Sequence, residues 1–231
     1  MKRGLNLDKV VLLGRTFEEY VRFFALAPDE WRARRILDVA SGVGSFCAEA
    51  NAQGWNVTAT DPIYELPAET IAPRCQADLE HVLDAIGQAT TYRWGFYRDA
   101  ARLRGFRERA RQRFLADYRD APPGRYVAGQ LPALPFPDRQ FELTLVSYFL
   151  FVYEEQLSYD FHRDSLLEIL RVTSGEARFY PLVTFAAQRS TYLDRLREDP
   201  VGRDFEFVEV ATDFEFLEGS NSYLRVRRRR R

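Results

Sequence analysis

The stretch Arg35-Ile36-Leu37-Asp38-Val39-Ala40-Ser41-Gly42-Val43-Gly44-Ser45 constrains this chain more than any other. Ile36, Leu37 and Val39 form a short apolar run that carries one acid, Asp38, and the run breaks at once into small residues. A helical stretch from Phe46 to Gln53 follows. Strand, tight turn and helix in that order form the ligand-binding edge of an open α/β sheet. Gly42 and Gly44 permit positive φ and close backbone approach. The free N–H groups from Gly42 to Ser45 are expected to face an anion such as a carboxylate.

Asp61 follows Asp38 by 23 residues and closes a second strand-like run, Trp55 to Thr60. A carboxylate at the tip of a neighbouring strand suits a ribose diol, because two hydroxyl donors match two carboxylate oxygens. Farther on, Leu134-Pro135-Phe136-Pro137-Asp138 turns into another buried run, Phe141 to Tyr148.

Together these residues resemble the class I S-adenosylmethionine-dependent methyltransferases, over about 35–64 and 126–175 and in outline at the C-terminal end. Members without an assigned substrate share the sense of Gly14-Arg15-Thr16-Phe17-Glu18-Glu19-Tyr20, of Phe161-His162 and of Tyr180-Pro181-Leu182. The resemblance implies an α/β fold: a Rossmann-like, seven-stranded, mostly parallel sheet with an antiparallel last strand. It implies S-adenosylmethionine as cofactor. Asp38 would take its ammonium, directly or through water, and the loop Ala40, Ser41, Gly42, Gly44 and Ser45 its carboxylate, which Arg15 would also touch. Asp61 would hold the ribose, and Pro62 and Ile63 the adenine face. Gln130 and Leu131 would flank the adenine edge, and Ser147 would close the cofactor site. A Rossmann dinucleotide site is disfavoured, because Cys47 stands where the third glycine of Gly-x-Gly-x-x-Gly would be.

At 231 residues the chain reads as one domain, 1–231, with a substantial core. Residues 68–118 lack a good strand and read as an inserted helical lid. Tyr92, Trp94, Tyr97 and, beyond the insertion, Tyr153 are candidates for an acceptor pocket. Tyr148 and His162 are the candidate catalytic groups. The arginines from Arg98 to Arg113 read as a solvated helix face paired with Asp99 and Glu108, as an anion-binding lid, or as an RNA platform with the tail Arg227 to Arg231.

A net charge of −1 supplies no global field toward nucleic acid or membrane. The basic residues are arginines apart from Lys2 and Lys9, and Val10 to Leu13 is too short for a signal core. Cys47 and Cys75 have no metal spacing, so no metal is expected, and both read as reduced thiols of a cytoplasmic protein. The favoured partner is a small-molecule acceptor. RNA or protein methylation, and a non-catalytic module that binds the cofactor, stay open, as does the oligomeric state.

Remaining expectations are local. Thr16 caps a helix over 16–25, and strands lie at 125–129 and from Glu176. Gly175 stops the helix Asp160 to Arg171, and another helix spans Ser190 to Glu198. Phe205 to Leu217 forms a long strand before Ser222 to Arg227.

Overall fold

The computed structural model describes residues 11–229. Lys2, Lys9, Val10 and the tail residues Arg230 and Arg231 lie outside the described residues. Seven strands form one sheet: β1 (Arg35–Val39), β2 (Asn56–Thr60), β3 (Tyr126–Val127), β4 (Phe141–Ser147), β5 (Thr173–Tyr180), β6 (Phe205–Ala211) and β7 (Ser222–Arg228). Their spatial order is β3-β2-β1-β4-β5-β7-β6. The first five strands pair in parallel, and β7 runs antiparallel to both β5 and β6. The helices are α1 (Phe17–Phe23), α2 (Pro28–Trp31), α3 (Phe46–Ala52), α4 (Ala68–Gln88), α5 (Ala100–Asp120), α6 (Tyr159–Val172) and α7 (Thr191–Glu198).

Alternation along the strands divides the apolar side chains between two cores. Ile36, Leu143 and Leu145 face a layer with α1, α3, α4 and α5. Leu37, Val39, Val146 and Phe179 face a layer with α6 and α7. Because parallel strands are covered on both faces, β1 and β4 read as nearly continuous apolar runs.

Several boundaries differ from the sequence reading. The third strand has two paired residues, Tyr126 and Val127. Gly175 does not stop a helix. It lies inside β5, where a Cβ would come within 2.2 Å of the Glu142 carbonyl, so glycine permits the close approach of β4 and β5. The long strand at 205–217 ends at Ala211. Phe214 and Phe216 turn inward instead, with Phe214 edge-on to Phe23 at 4.7 Å and Phe216 edge-on to Tyr97 at 4.6 Å. Burying these two aromatic rings outweighs continuing the strand at the sheet edge through 212–217. At the end of β7, Arg227 pairs with Glu206 and Arg228 lies over the Phe205 ring.

The segment 68–118 is the helix pair α4 and α5 with a turn between them. The Asp99 side chain accepts from the Arg102 N–H and caps α5. The pair packs on the same face of the sheet as α1 and α3, with α5 against α3 and α4.

Candidate active site

A cavity of about 530 Å³ opens at the C-terminal ends of β1, β2 and β4. Ala40, Ser41 and Gly42 from the loop after β1 form one wall, with Asp61 and Pro62 after β2. Gly129, Gln130 and Leu131 border the same end. Ser147, Tyr148, Arg15, Tyr92 and Tyr153 line the other half. The cavity therefore gathers most of the residues picked out in the sequence.

Asp61 links the two strand tips. Its Oδ2 accepts from the Gly42 N–H at 3.0 Å and its Oδ1 from the Ile63 N–H at 3.0 Å. Each carboxylate oxygen keeps a lone pair for a further donor. Burial raises its pKa, partly offset by those two N–H donors. Gly42 has φ +54°, and a Cβ built there would find no protein atom nearer than Asp61 Oδ2 at 4.0 Å. The room beside Gly42 thus belongs to the cavity. Gly42→Val is expected to leave a folded protein that has lost nucleoside binding, because a β-branched residue resists positive φ and its methyl groups would enter that room. Titration with S-adenosylhomocysteine checks it. Wild-type affinity in the variant would mean that the ligand does not cross this loop.

Three of the four loop N–H groups from Gly42 to Ser45 are engaged within the protein, where the sequence suggested that they would face an anion. The Gly42 N–H is held by Asp61, the Gly44 N–H donates to the Ser41 carbonyl at 3.0 Å, and the Ser45 N–H donates to the Arg15 carbonyl at 2.9 Å. Gly44 and Ser45 lie behind the cavity wall, because the short turn closes its own donors.

Of the three arginines that border the cavity, Arg15, Arg74 and Arg107, Arg15 lies against the Tyr148 ring. It is half-buried, one Nη donates to the Leu13 carbonyl, its Nε has no partner, and its guanidinium lies 4.3 Å from the centre of the Tyr148 ring. No carboxylate of the described residues forms an ion pair with it. Burial lowers its pKa, and the neighbouring Arg107 charge adds to that.

Asp38 lies one layer deeper, fully buried. Its Oδ1 accepts from the Tyr20 hydroxyl at 2.9 Å and its Oδ2 from the Ser41 hydroxyl at 2.6 Å. Burial pushes its pKa up to about 7 against those two bonds, with a smaller upward push from Asp61.

Three candidates stand elsewhere. His162 is fully buried in α6, with Nδ1 2.9 Å from the Ser158 carbonyl and Nε2 2.9 Å from the Leu150 carbonyl. With both ring nitrogens occupied and the ring away from the cavity, it is not a general base here. Tyr97 is also buried, and its hydroxyl donates to Glu19 and accepts from Arg107. Trp94 packs edge-on against Phe216 at 5.4 Å, outside the cavity wall.

The sequence reading missed the apolar half of the wall: Val82 and Ile86 from α4, Leu103 from α5, and Phe149, Phe161, Phe185 and Phe216. It also missed Glu19, whose carboxylate takes the Arg107 guanidinium at 2.6 and 3.0 Å. Other ladder arginines are partly engaged too, Arg104 with Glu80 and Arg109 over the Phe106 ring. Among the described residues no cluster could hold a metal ion, and no helix is long and apolar enough to cross a membrane.

No protein-family model matches the chain. It is 38% identical over 228 residues to the uncharacterized protein MJ0045 of Methanocaldococcus jannaschii, covering 98% of this chain and 100% of the relative. Among solved structures it is similar to the PH0226 protein of Pyrococcus horikoshii OT3, with a TM-score of 0.51 and 14% identity over 92% of this chain and 90% of that one. Magnesium protoporphyrin IX methyltransferase from Synechocystis PCC 6803, solved with bound S-adenosylmethionine, gives a TM-score of 0.49 and 12% identity over 92% of this chain and 78% of that one. The chain thus belongs to one family with MJ0045, built on the Rossmann-like fold of the class I S-adenosylmethionine-dependent methyltransferases.

Proposed function

We propose that this protein transfers a methyl group from S-adenosylmethionine to a small-molecule acceptor. The cofactor supplies a methyl carbon already activated by its sulfonium, so the protein's tasks are binding, alignment and exclusion of water. The observation that carries the reading is the bridge between Asp61 and the Gly42 N–H beside open room at Gly42. Two free carboxylate lone pairs there match a ribose diol, and a side chain at Gly42 would fill the cradle.

The other residues divide by chemistry. Pro62 and Leu131 sandwich the base, and the Gln130 amide reads its edge. Ala40, Ser41 and Ser147 flank the amino-acid portion. Arg15 receives the α-carboxylate, a role supported by the Gly42, Gly44 and Ser45 N–H groups being engaged within the protein and by the unpartnered Arg15 Nε. Asp38, screened by Tyr20 and Ser41, offers negative charge to the ammonium through a bridging water. The acceptor occupies the half lined by Tyr92, Tyr148 and Tyr153, and Tyr148 positions it. The helix pair of 68–118 serves as the lid that keeps water out.

Calorimetry separates this reading from a dinucleotide oxidoreductase: S-adenosylmethionine is expected to bind saturably and NADH is not. Affinity should also rise with pH. A cofactor ammonium favours ionised Asp38, whose pKa in the free protein is about 7. Below pH 7 binding must therefore expel a proton, weakening by up to about tenfold per unit. Above pH 7 that dependence levels off. The stability sign is opposite: a raised carboxyl pKa means the fold loses stability as pH climbs from about 4 toward 7. Affinity that is flat from pH 5.5 to 8 would remove Asp38 from the site.

A further inference from the structure

The charges at the acceptor half restrict what can enter it, once the cofactor reading above is granted. Two cations border that half, Arg15 and Arg107. Arg107 is neutralised by Glu19 through two hydrogen bonds in a fully buried pair. Arg15 acts on the Tyr92, Tyr148 and Tyr153 phenols. The one carboxylate that acts on Tyr153, Asp78, is itself paired with Arg74 at 3.9 Å and accepts from the Leu12 N–H at 2.8 Å. Arg74 is also the cation that acts on Asp61. With the cofactor's carboxylate on Arg15, no net charge faces this half among the described residues. What remains is aromatic wall built from ring pairs: Tyr92 with Phe216 at 4.6 Å, Tyr153 with Phe185 at 5.0 Å, and Phe149 with Phe161 at 6.3 Å. Val82 and Ile86 close the wall from α4.

We infer that the methyl acceptor is an uncharged, largely apolar ring compound, held between these aromatic pairs and excluded when it carries a formal charge. A flat ring gains edge and face contacts from such pairs. A charged group carried into the same space would lose its hydration: a cation would meet the cofactor sulfonium, and an anion would find no counter-ion from the protein. The phenol groups of Tyr92, Tyr148 and Tyr153 supply hydrogen bonds for one neutral polar substituent.

The test titrates protein saturated with S-adenosylhomocysteine against indole and 2-naphthol, and against their charged counterparts indole-3-acetate and tryptamine. The neutral rings are expected to bind, with the charged ones at least about tenfold weaker, a difference of about 1.4 kcal/mol. In the protein alone, where Arg15 lacks the cofactor carboxylate, indole-3-acetate should lose its disadvantage. Ile86→Trp, which fills the aromatic half from the α4 side, should abolish ring binding and leave S-adenosylhomocysteine binding unchanged. Equal binding of neutral and charged rings, or no ring binding at all, overturns the inference while the cofactor reading stands. Failure of S-adenosylhomocysteine itself to bind overturns the cofactor reading and this inference with it. If Ile86→Trp does not fold, the neutral-against-charged comparison in the wild-type protein still decides.

Discussion

Asp61→Ala is expected to weaken S-adenosylhomocysteine binding by about 100-fold or more with the fold retained. The variant removes the acceptor for two ribose hydroxyls, each charge-assisted bond being worth roughly 1.5–3 kcal/mol. It also frees the Gly42 N–H that Asp61 holds at 3.0 Å, so the turn loses its tether to β2. Asp61→Asn separates the two effects. Its amide oxygen can keep either the Gly42 or the Ile63 bond, but its NH₂ group cannot accept a ribose hydroxyl. It should fall between wild type and alanine in affinity while melting closer to wild type. Burial already raises the Asp61 pKa, so removing the carboxylate removes a buried charge, and the apo protein need not lose much stability. Calorimetry for affinity and thermal unfolding for stability check both halves. Tight binding by the alanine variant would displace the ribose from this strand tip.

What the sequence revealed and what it concealed divide along the range of the interactions. The cofactor half is local. An apolar run ending in small residues, an acid before a proline and a Pro-Asp turn each announce themselves within about ten residues, and the sheet brings their ends together. The thermodynamically hidden parts are contacts between distant segments. Glu19 completes the cap that Thr16 begins, with its Oε2 accepting from the Thr16 N–H at 2.7 Å. That the same carboxylate also neutralises Arg107, 88 positions away, has no local signature. Arg107 accordingly looked like any other rung of the ladder. His162 misled for the converse reason: a histidine beside an aromatic suggested chemistry, while its ring is consumed by two backbone carbonyls. The inward turn of Phe214 and Phe216 was invisible because alternation of apolar residues continues past the point where the sheet ends.

Glu19→Ala should produce the largest loss of stability of any single change away from the cavity. Glu19 and Arg107 are 0% and 3% exposed, and the guanidinium reaches the Gly14 carbonyl at 2.8 Å as well as the carboxylate. One group therefore ties together α1, α5 and the segment that carries Arg15. Removing the carboxylate leaves a buried cation with only the Gly14 carbonyl and the Tyr97 hydroxyl, a loss of roughly 3–5 kcal/mol. For a chain of this length that corresponds to a melting temperature lower by roughly 6–20 °C. Glu80→Ala, which breaks the exposed pair with Arg104, should melt near wild type. Replacing both partners, Glu19→Leu with Arg107→Met, should recover much of the loss, because the penalty comes from the unpaired charge more than from the missing bond. The pH dependence follows from the same geometry. Burial raises the Glu19 pKa, but the Arg107 charge and hydrogen bonds outweigh it and hold the carboxyl below its usual range. Its contribution is therefore complete above about pH 4.5 and is lost as pH falls further, and the alanine variant should show a shallower acid limb. If the single variant melts like the double, the pair contributes nothing beyond packing, and α5 must be held by its apolar contacts alone.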